Sequence, residues 1–289
     1  MIGPPGVGKS FLAQALGGIL PDLTINEAIE VTKIWSAAGL GSHGLIRRRP
    51  FRSPHQTTSV AALIGGGQDP KPGEISLSHR GILFLDELPE FQKNALEALR
   101  QPMESGMVHV ARTKRSLLFP AKFTLIAAMN PCPCGYYGNS EHPCTCSAYE
   151  VIKYQKKISG PLLDRIDIQI KVGGVKIDEL RKGGCPESVN LSIRERVAST
   201  RETQRKRFDS QNIKIETNSE MGSRETEQLI NLEADAEKFL ENFEKGWLSP
   251  RSYYRILKVA RTIADLDKKE TVAAEHLAEA FSYRIREDV

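Results

Sequence analysis

The chain lacks any apolar run approaching the ~20 residues that a membrane-spanning helix needs. A membrane partner is therefore not expected. No signal-peptide pattern opens it, so the cytoplasm is the expected location. Internal repeats and low-complexity tracts are missing too, which sets repeat arrays aside. Neither sign of charge dominates: 40 Lys and Arg against 36 Asp and Glu give a net charge of +4. Such mild basicity does not by itself imply a nucleic-acid partner; the distribution of charge matters more. Cysteine is scarce, with five in 289 residues, yet four of them fall between positions 132 and 146. The composition is otherwise that of an ordinary globular chain, long enough for one large or two modest domains.

What is present begins at once. Residues 1–10 read MIGPPGVGKS, so Gly3, four residues, then Gly8-Lys9-Ser10 match the G-x-x-x-x-G-K-[ST] phosphate-binding loop. Backbone N–H groups must wrap the phosphates, and Gly3, Gly6 and Gly8 tolerate the unusual dihedrals this requires, with Pro4, Pro5 and Val7 between them. Lys9 is expected to reach the β/γ-phosphates of ATP, and Ser10 to ligate Mg²⁺. Residues 9–19 read as a helix whose N-terminus points at the anion. A phosphate loop normally follows a buried strand. Only Met1 and Ile2 precede this one, so the chain is expected to be cut at its N-terminus, with the central strand largely missing and the fold weakened.

Further elements alternate. A helix is expected over 26–38, then an irregular basic segment, Arg47 to His55, broken by Pro50 and Pro54. A short helix over 57–64 stops at Gly65-Gly66-Gly67, and 73–80 reads as a short strand or loop. Ile82-Leu83-Phe84-Leu85 is an unbroken apolar run, as in a parallel strand buried on both faces. An amphipathic helix over 91–103, a hairpin over 107–119, a second buried strand over 123–129, a polar helix over 149–159 and an alternating strand over 166–172 follow. The pattern is that of a parallel α/β core over 1–172. A Gly-containing linker over 173–190 leads to an all-helical lid over 191–289, with helices near 192–209, 223–232, 234–245, 250–267 and 275–284.

Several residues carry chemistry. Asp86 and Glu87 end the first buried strand, where Asp86 can order Mg²⁺ and Glu87 can polarise an attacking water; the alternative is an acidic pair opening a loop. Asn130 ends the next strand and can orient that water, or be a turn residue before Pro131. Arg165, in Leu162-Leu163-Asp164-Arg165, is a candidate arginine finger, or a partner of Asp164 or Asp167. Arg251 opens the helix that starts at Pro250 and is a candidate second nucleotide contact, or a solvated helix-end residue. Cys132-x-Cys134, nine residues, then Cys144-x-Cys146 suits a closed tetrahedral Zn²⁺ site, with His142 as a substitute ligand; free thiols and disulfides are the alternatives. Cys185 stands alone and is read as a bystander.

In this order the motifs resemble the AAA+ ATPases: Walker A, Walker B, sensor 1, arginine finger and sensor 2. Arg49-Pro50-Phe51-Arg52-Ser53-Pro54-His55, Ala62-Leu63-Ile64-Gly65-Gly66-Gly67 and Asn130-Pro131-Cys132-Pro133-Cys134-Gly135 are similar to the Mg-chelatase-like ComM/YifB group. The resemblance covers essentially the whole chain. It implies a ring, a hexamer, with ATP between subunits, Arg165 acting on a neighbour's nucleotide, and DNA translocation in branch migration. Members of that group carry a Lon-protease-like domain before the ATPase.

In this clade the hairpin before the sensor strand projects into the pore. Here it would carry Arg112, Lys114 and Arg115, whose phosphate contacts would make DNA binding salt-dependent; the alternative is a solvated hairpin whose charges keep an edge soluble. The basic stretch Arg47 to Arg52 adds charge or folds back on the subunit interface, and the arginines of 192–209 fit a solvated, salt-bridged surface. Two rivals remain: a chelatase motor for metal insertion into a tetrapyrrole, and a nucleotide-binding scaffold that does not hydrolyse ATP.

Overall fold

The computed structural model describes residues 1–41, 44–67, 70–112, 115–174, 187–243 and 249–284. It divides into two compact units, residues 1–166 with 170–184, and residues 167–169 with 185–289.

The first unit is built on a parallel sheet. Strand Ile82–Leu85 lies between Phe51–Arg52 and Thr124–Ala127, pairing parallel with both. Its four residues are all buried, and successive side chains serve opposite faces. Leu83 and Leu85 enter a core with Leu63, Ile75, Leu96 and Leu99; Ile82 and Phe84 pack with Ala13, Ile126 and Ala128 on the other side. Helices must therefore cover both faces, which is why the run shows no alternation.

The sheet continues beyond Thr124–Ala127 through the N-terminus. Ile2 bridges in parallel to Met129 on one side and to Lys171 on the other. Met129 donates its N–H to the Met1 carbonyl at 3.0 Å, Gly3 donates to Met129 at 3.2 Å, and Ile2 donates to Ile170 at 2.9 Å. Residues 1–3 thus lie where the phosphate loop requires a strand, bridged on one side to Met129, just beyond Thr124–Ala127, and on the other to the segment 170–172.

Elsewhere the chain departs from expectation for identifiable reasons. Phe51 and Arg52, in the segment read as irregular, do form a strand: the two prolines limit it to two residues at the sheet edge. Residues 73–80 hold a helix, Glu74–Leu77, whose Ile75, Ser76 and Leu77 are all buried. With every side buried, no period could show. The expected helix over 91–103 is two helices, Lys93–Ala98 and Arg100–Ser105, meeting at Leu99. Pro102 has no N–H to offer the Ala98 carbonyl. The expected strand over 166–172 reduces to the pairing around Lys171, and Ile168 and Ile170 are exposed rather than alternately buried. Thr124 too is exposed, so the strand read as buried is only partly so.

Helix Lys9–Ile19 forms as expected, but Phe11, Leu12 and Leu16 face outward and only Lys9 and Ala13 are buried. Hairpin strands Met107–Arg112 and Arg115–Pro120 pair antiparallel in full register.

The second unit is helical: Glu187–Ser210, Ser223–Leu229, Ala234–Phe243, Pro250–Leu266 and Ala274–Ser282. Helix Pro250–Leu266 is its axis. Ile256, Leu257, Ala260, Ile263 and Ala264 recur at helical spacing and bury one stripe against Phe208, Leu240, Leu277 and Phe281. Ser249 caps its start by accepting from the Ser252 N–H. Most of the linker, with Cys185, lies outside the described residues.

Candidate functional site

The phosphate loop runs from the short central strand into helix Lys9–Ile19. Gly6 and Gly8 have φ of 80° and 83°, values open to glycine and strained for other residues. Gly8 is the N-cap and gives no side-chain cap, so the first N–H groups of the helix face the loop's hollow. Gly3 has a different reason to be glycine: a Cβ there would lie 2.2 Å from the Val172 carbonyl oxygen of the adjoining sheet segment.

Distant parts of the chain converge on this loop. Lys9 Nζ donates to the carbonyls of Gly3 and Pro4, each at 2.8 Å, and to Asn130 Oδ1 at 3.0 Å. Burial pushes the Lys9 ammonium below its ordinary pKa, and the Asp86 carboxylate partly restores it. The partners that bond Lys9 directly are neutral oxygens. Ser10 Oγ donates to Asp86 Oδ2 at 2.6 Å, so the two residues expected to hold Mg²⁺ already touch. A hydroxyl and a carboxylate beside a phosphate-shaped loop are the oxygen donors that Mg²⁺ takes.

Glu87 is exposed and has φ 50°, a left-handed backbone for a residue that carries a side chain. Its N–H donates to Asp86 Oδ1 at 2.9 Å, which ties the two acids into one rigid turn. The sequence expectation places Lys9, Ser10, Asp86, Glu87 and Asn130 at one site; the structure joins Lys9 to Asn130 and Ser10 to Asp86 there, with Glu87 following Asp86 in the chain.

Arg165 is placed differently from an outward-pointing finger. It is 6% exposed, pairs with Glu104 at 2.9 Å, and donates to the Pro161 carbonyl at 2.5 Å. It lines a shallow cavity of about 350 Å³ with Glu97, Arg100 and Glu104. Glu104, which pairs with it, carried no signal in the sequence. Arg251 stands in the helical unit, exposed in the first turn of Pro250–Leu266.

The four cysteines of the 132–146 loop do gather. Cys132 is fully buried, and the Sγ atoms of Cys132, Cys134, Cys144 and Cys146 all lie within 4.8 Å of one another. Cys132–Cys134, Cys134–Cys144 and Cys132–Cys144 separations are 3.3, 3.5 and 3.7 Å, and none is a disulfide. Thiolates at ~2.3 Å from a tetrahedral Zn²⁺ would sit roughly 3.8 Å apart, so the set fits that ion. Backbone N–H groups surround the sulfurs: Tyr137 donates to Cys132 and Cys134 donates to Cys146, at 3.3 and 3.4 Å. The Tyr136 and Thr145 amides pull the Cys134 thiol down to about 5. His142, the substitute ligand, instead packs against the Tyr136 ring at 5.2 Å.

The basic candidates divide. Lys114 and the hairpin tip lie outside the described residues, as do the side chains of Arg112 and Arg115. In the Arg47–Arg52 stretch, Arg49 pairs with Glu27 at 3.0 Å and Arg52 with Glu74 at 2.6 Å, both within the unit. On helix Glu187–Ser210, Arg196 pairs with Asp267 and Arg205 with Glu202 and Glu216, as a salt-bridged surface should.

Residues 1–180 match the family model described as magnesium chelatase, subunit ChlI, and residues 188–284 match its C-terminal model. The chain is 44% identical over 287 residues to the uncharacterized protein YifB of Escherichia coli (strain K12), covering 98% of this chain and 55% of that one. It is 43% identical over 286 residues to the competence protein ComM of Haemophilus influenzae, covering 98% and 54%. A magnesium-chelatase 67 kDa subunit of Chlorobaculum parvum is 28% identical over 128 residues, covering 44% and 18%. The chain thus spans about half the length of the YifB and ComM relatives it matches. On these matches and on its sheet and helical unit, the chain belongs to the ComM/YifB group of Mg-chelatase-like AAA+ proteins.

Proposed function

We propose that the protein is a Mg²⁺-dependent ATPase whose hydrolysis drives movement on DNA, in branch migration during recombination or transformation. The convergence of Lys9, Ser10, Asp86 and Asn130 on one loop carries the reading, since 76 and 121 residues of chain separate the partners. Membership of an AAA+ family supports ATP and Mg²⁺ as ligands.

In this mechanism the amides of Gly6, Val7 and Gly8 and the Lys9 ammonium bind the β- and γ-phosphates. Ser10 and Asp86 hold Mg²⁺, which supplies neutralisation of the phosphate charge. Asn130 orients the water. Glu87 accepts its proton as the oxygen bonds to phosphorus and the bond to the ADP oxygen breaks. Arg165 serves a neighbouring subunit's nucleotide in a ring, a hexamer, once it leaves Glu104. Arg251 serves its own subunit's nucleotide. The similarity to a protein named for competence supports DNA as the partner, and Arg112, Lys114 and Arg115 are its proposed contacts. Within the same reading Cys132, Cys134, Cys144 and Cys146 hold a structural Zn²⁺. The workplace is the cytoplasm.

ATPase activity of the purified protein, with and without single-stranded and branched DNA, tests the proposal. Glu87→Gln should lower turnover by ~10²- to 10⁴-fold while nucleotide still binds. Unchanged turnover in that variant refutes the assigned base. The family match and the Chlorobaculum relative favour a second reading, a chelatase motor; activity indifferent to both DNAs would select it.

A further inference from the structure

We infer that the zinc site is a strut of the phosphate loop, so that occupancy of the four thiolates and affinity for nucleotide are coupled. The inference rests on the reading that Zn²⁺ binds there. It concerns what the metal does for the neighbouring loop.

The argument is one of contact. The turn that starts at Cys132 closes with the Gly135 N–H donating to the Cys132 carbonyl at 3.0 Å. Gly135 has φ 90° and lies flat against the phosphate loop: a Cβ on it would stand 2.6 Å from Pro5 Cδ. On the other side of the turn, Asn130 accepts from Lys9, and Met129 pairs with Met1 and Gly3. One short stretch, 129–135, therefore touches the loop at its strand, its lysine and its second proline. That stretch is fixed at its far end by Cys132 and Cys134, and by Gln155 Nε2 donating to the Pro131 carbonyl at 3.0 Å.

Three of the sulfurs stand 3.3–3.7 Å apart and all four lie within 4.8 Å, so one tetrahedral ion can join both ends of the loop. Zn²⁺ bound there makes the turn rigid. Without it the sulfurs separate, Gly135 withdraws from Pro5, and the loop loses the wall that shapes it. Linkage makes the effect reciprocal: a ligand that orders the loop also retains the metal.

The test uses the purified protein in Mg²⁺. Zinc content is measured by elemental analysis, and a fluorescent ADP analogue is titrated before zinc removal by a chelator, after it, and after reloading. We expect one zinc per chain, a roughly ten-fold rise in Kd without it, recovery on reloading, and Mg·ADP slowing zinc transfer to a chromogenic chelator by a similar factor. Gly135→Ala, which keeps every thiol, should retain zinc yet bind ADP more weakly. If the metal-free protein unfolds, zinc transfer with and without Mg·ADP decides. Full zinc occupancy with unchanged Kd and transfer rate overturns the strut alone. Absence of stoichiometric zinc overturns the metal reading as well, and zinc-loaded protein that binds no ADP overturns the nucleotide reading instead.

Discussion

Both units bury charge, and they treat it in opposite ways. In the helical unit Asp265 is 3% exposed and is surrounded by donors: Arg261, Arg207, Asn218 and Gln204 all bond to it. Arg261, 1% exposed, completes its own set on the Lys269 and Glu270 carbonyls. Charge is matched locally and nothing further is required. In the first unit Lys9 is 9% exposed and bonds three neutral oxygens, while Asp86 bonds a hydroxyl and an amide. Cation and anion stand near one another without pairing. A network that closes on itself is architecture; one that leaves its charges to neutral partners is prepared for a ligand that carries charge.

Substitutions should separate the two cases. The largest effect is expected for Asp265→Ala, which strands two arginines in the helical core. Removing one member of a buried ionic set costs ~3–5 kcal/mol, read as a lowered denaturant midpoint followed by hydrogen exchange of helix Pro250–Leu266. Retained protection there would mean the network is ornamental to stability. Next comes Lys9→Ala, for which nucleotide affinity should fall by ~10- to 150-fold, the loss of a charged hydrogen bond of roughly 1.5–3 kcal/mol. Its thermal midpoint should stay level or rise, because a desolvated ammonium is gone. A clear drop in midpoint would make Lys9 architectural and erase the contrast.

The Glu27–Arg49 pair is intermediate, buried yet in the nucleotide unit. Burial pushes the Glu27 carboxyl up, but the Thr24 N–H and the Arg49 guanidinium outweigh it and leave the pKa below its ordinary value of 4.5. A depressed carboxyl contributes stability above its unfolded pKa and loses it as pH falls through the folded one. Glu27→Gln should therefore lower stability at neutral pH by about 1–3 kcal/mol and flatten the decline below pH ~4.5, in unfolding curves taken at several pH values. An equally steep decline would assign the acid sensitivity elsewhere. The smallest effect belongs to Arg205→Ala, at the surface pairs with Glu202 and Glu216, with a change within ~0.5 kcal/mol. Anything larger would show that the surface of helix Glu187–Ser210 does more than stay solvated.

The site was legible where chemistry dictates spelling. The loop of glycines ahead of Lys9, the acids closing Ile82–Leu85 and the Asn ahead of Pro131 each declare a local need, and all three meet at one point. Cysteine spacing likewise announced a cluster that the fold assembles. Two kinds of fact stayed hidden. One is the element buried on every side, such as Glu74–Leu77, where no period survives. The other is the long-range partner chosen by packing: nothing near Arg165 names Glu104, and nothing in Lys9–Ile19 says that Phe11 would be 80% exposed. The short strand before the loop was read as a deficit. It pairs on both sides, with Met129 and Lys171, two residues placed later in the chain.

The turn at Asp86 and Glu87 bears on how substitutions there combine. Glu87 takes its direction from a left-handed main chain, and that main chain is fixed by its N–H on Asp86 Oδ1. Removing the Asp86 carboxylate therefore also misaims Glu87, whereas changing Glu87 leaves Asp86 anchored. The two positions form one mutational unit, read in one direction only. Asp86→Ala already contains most of the damage of the double variant, and their separate losses of activity will not add.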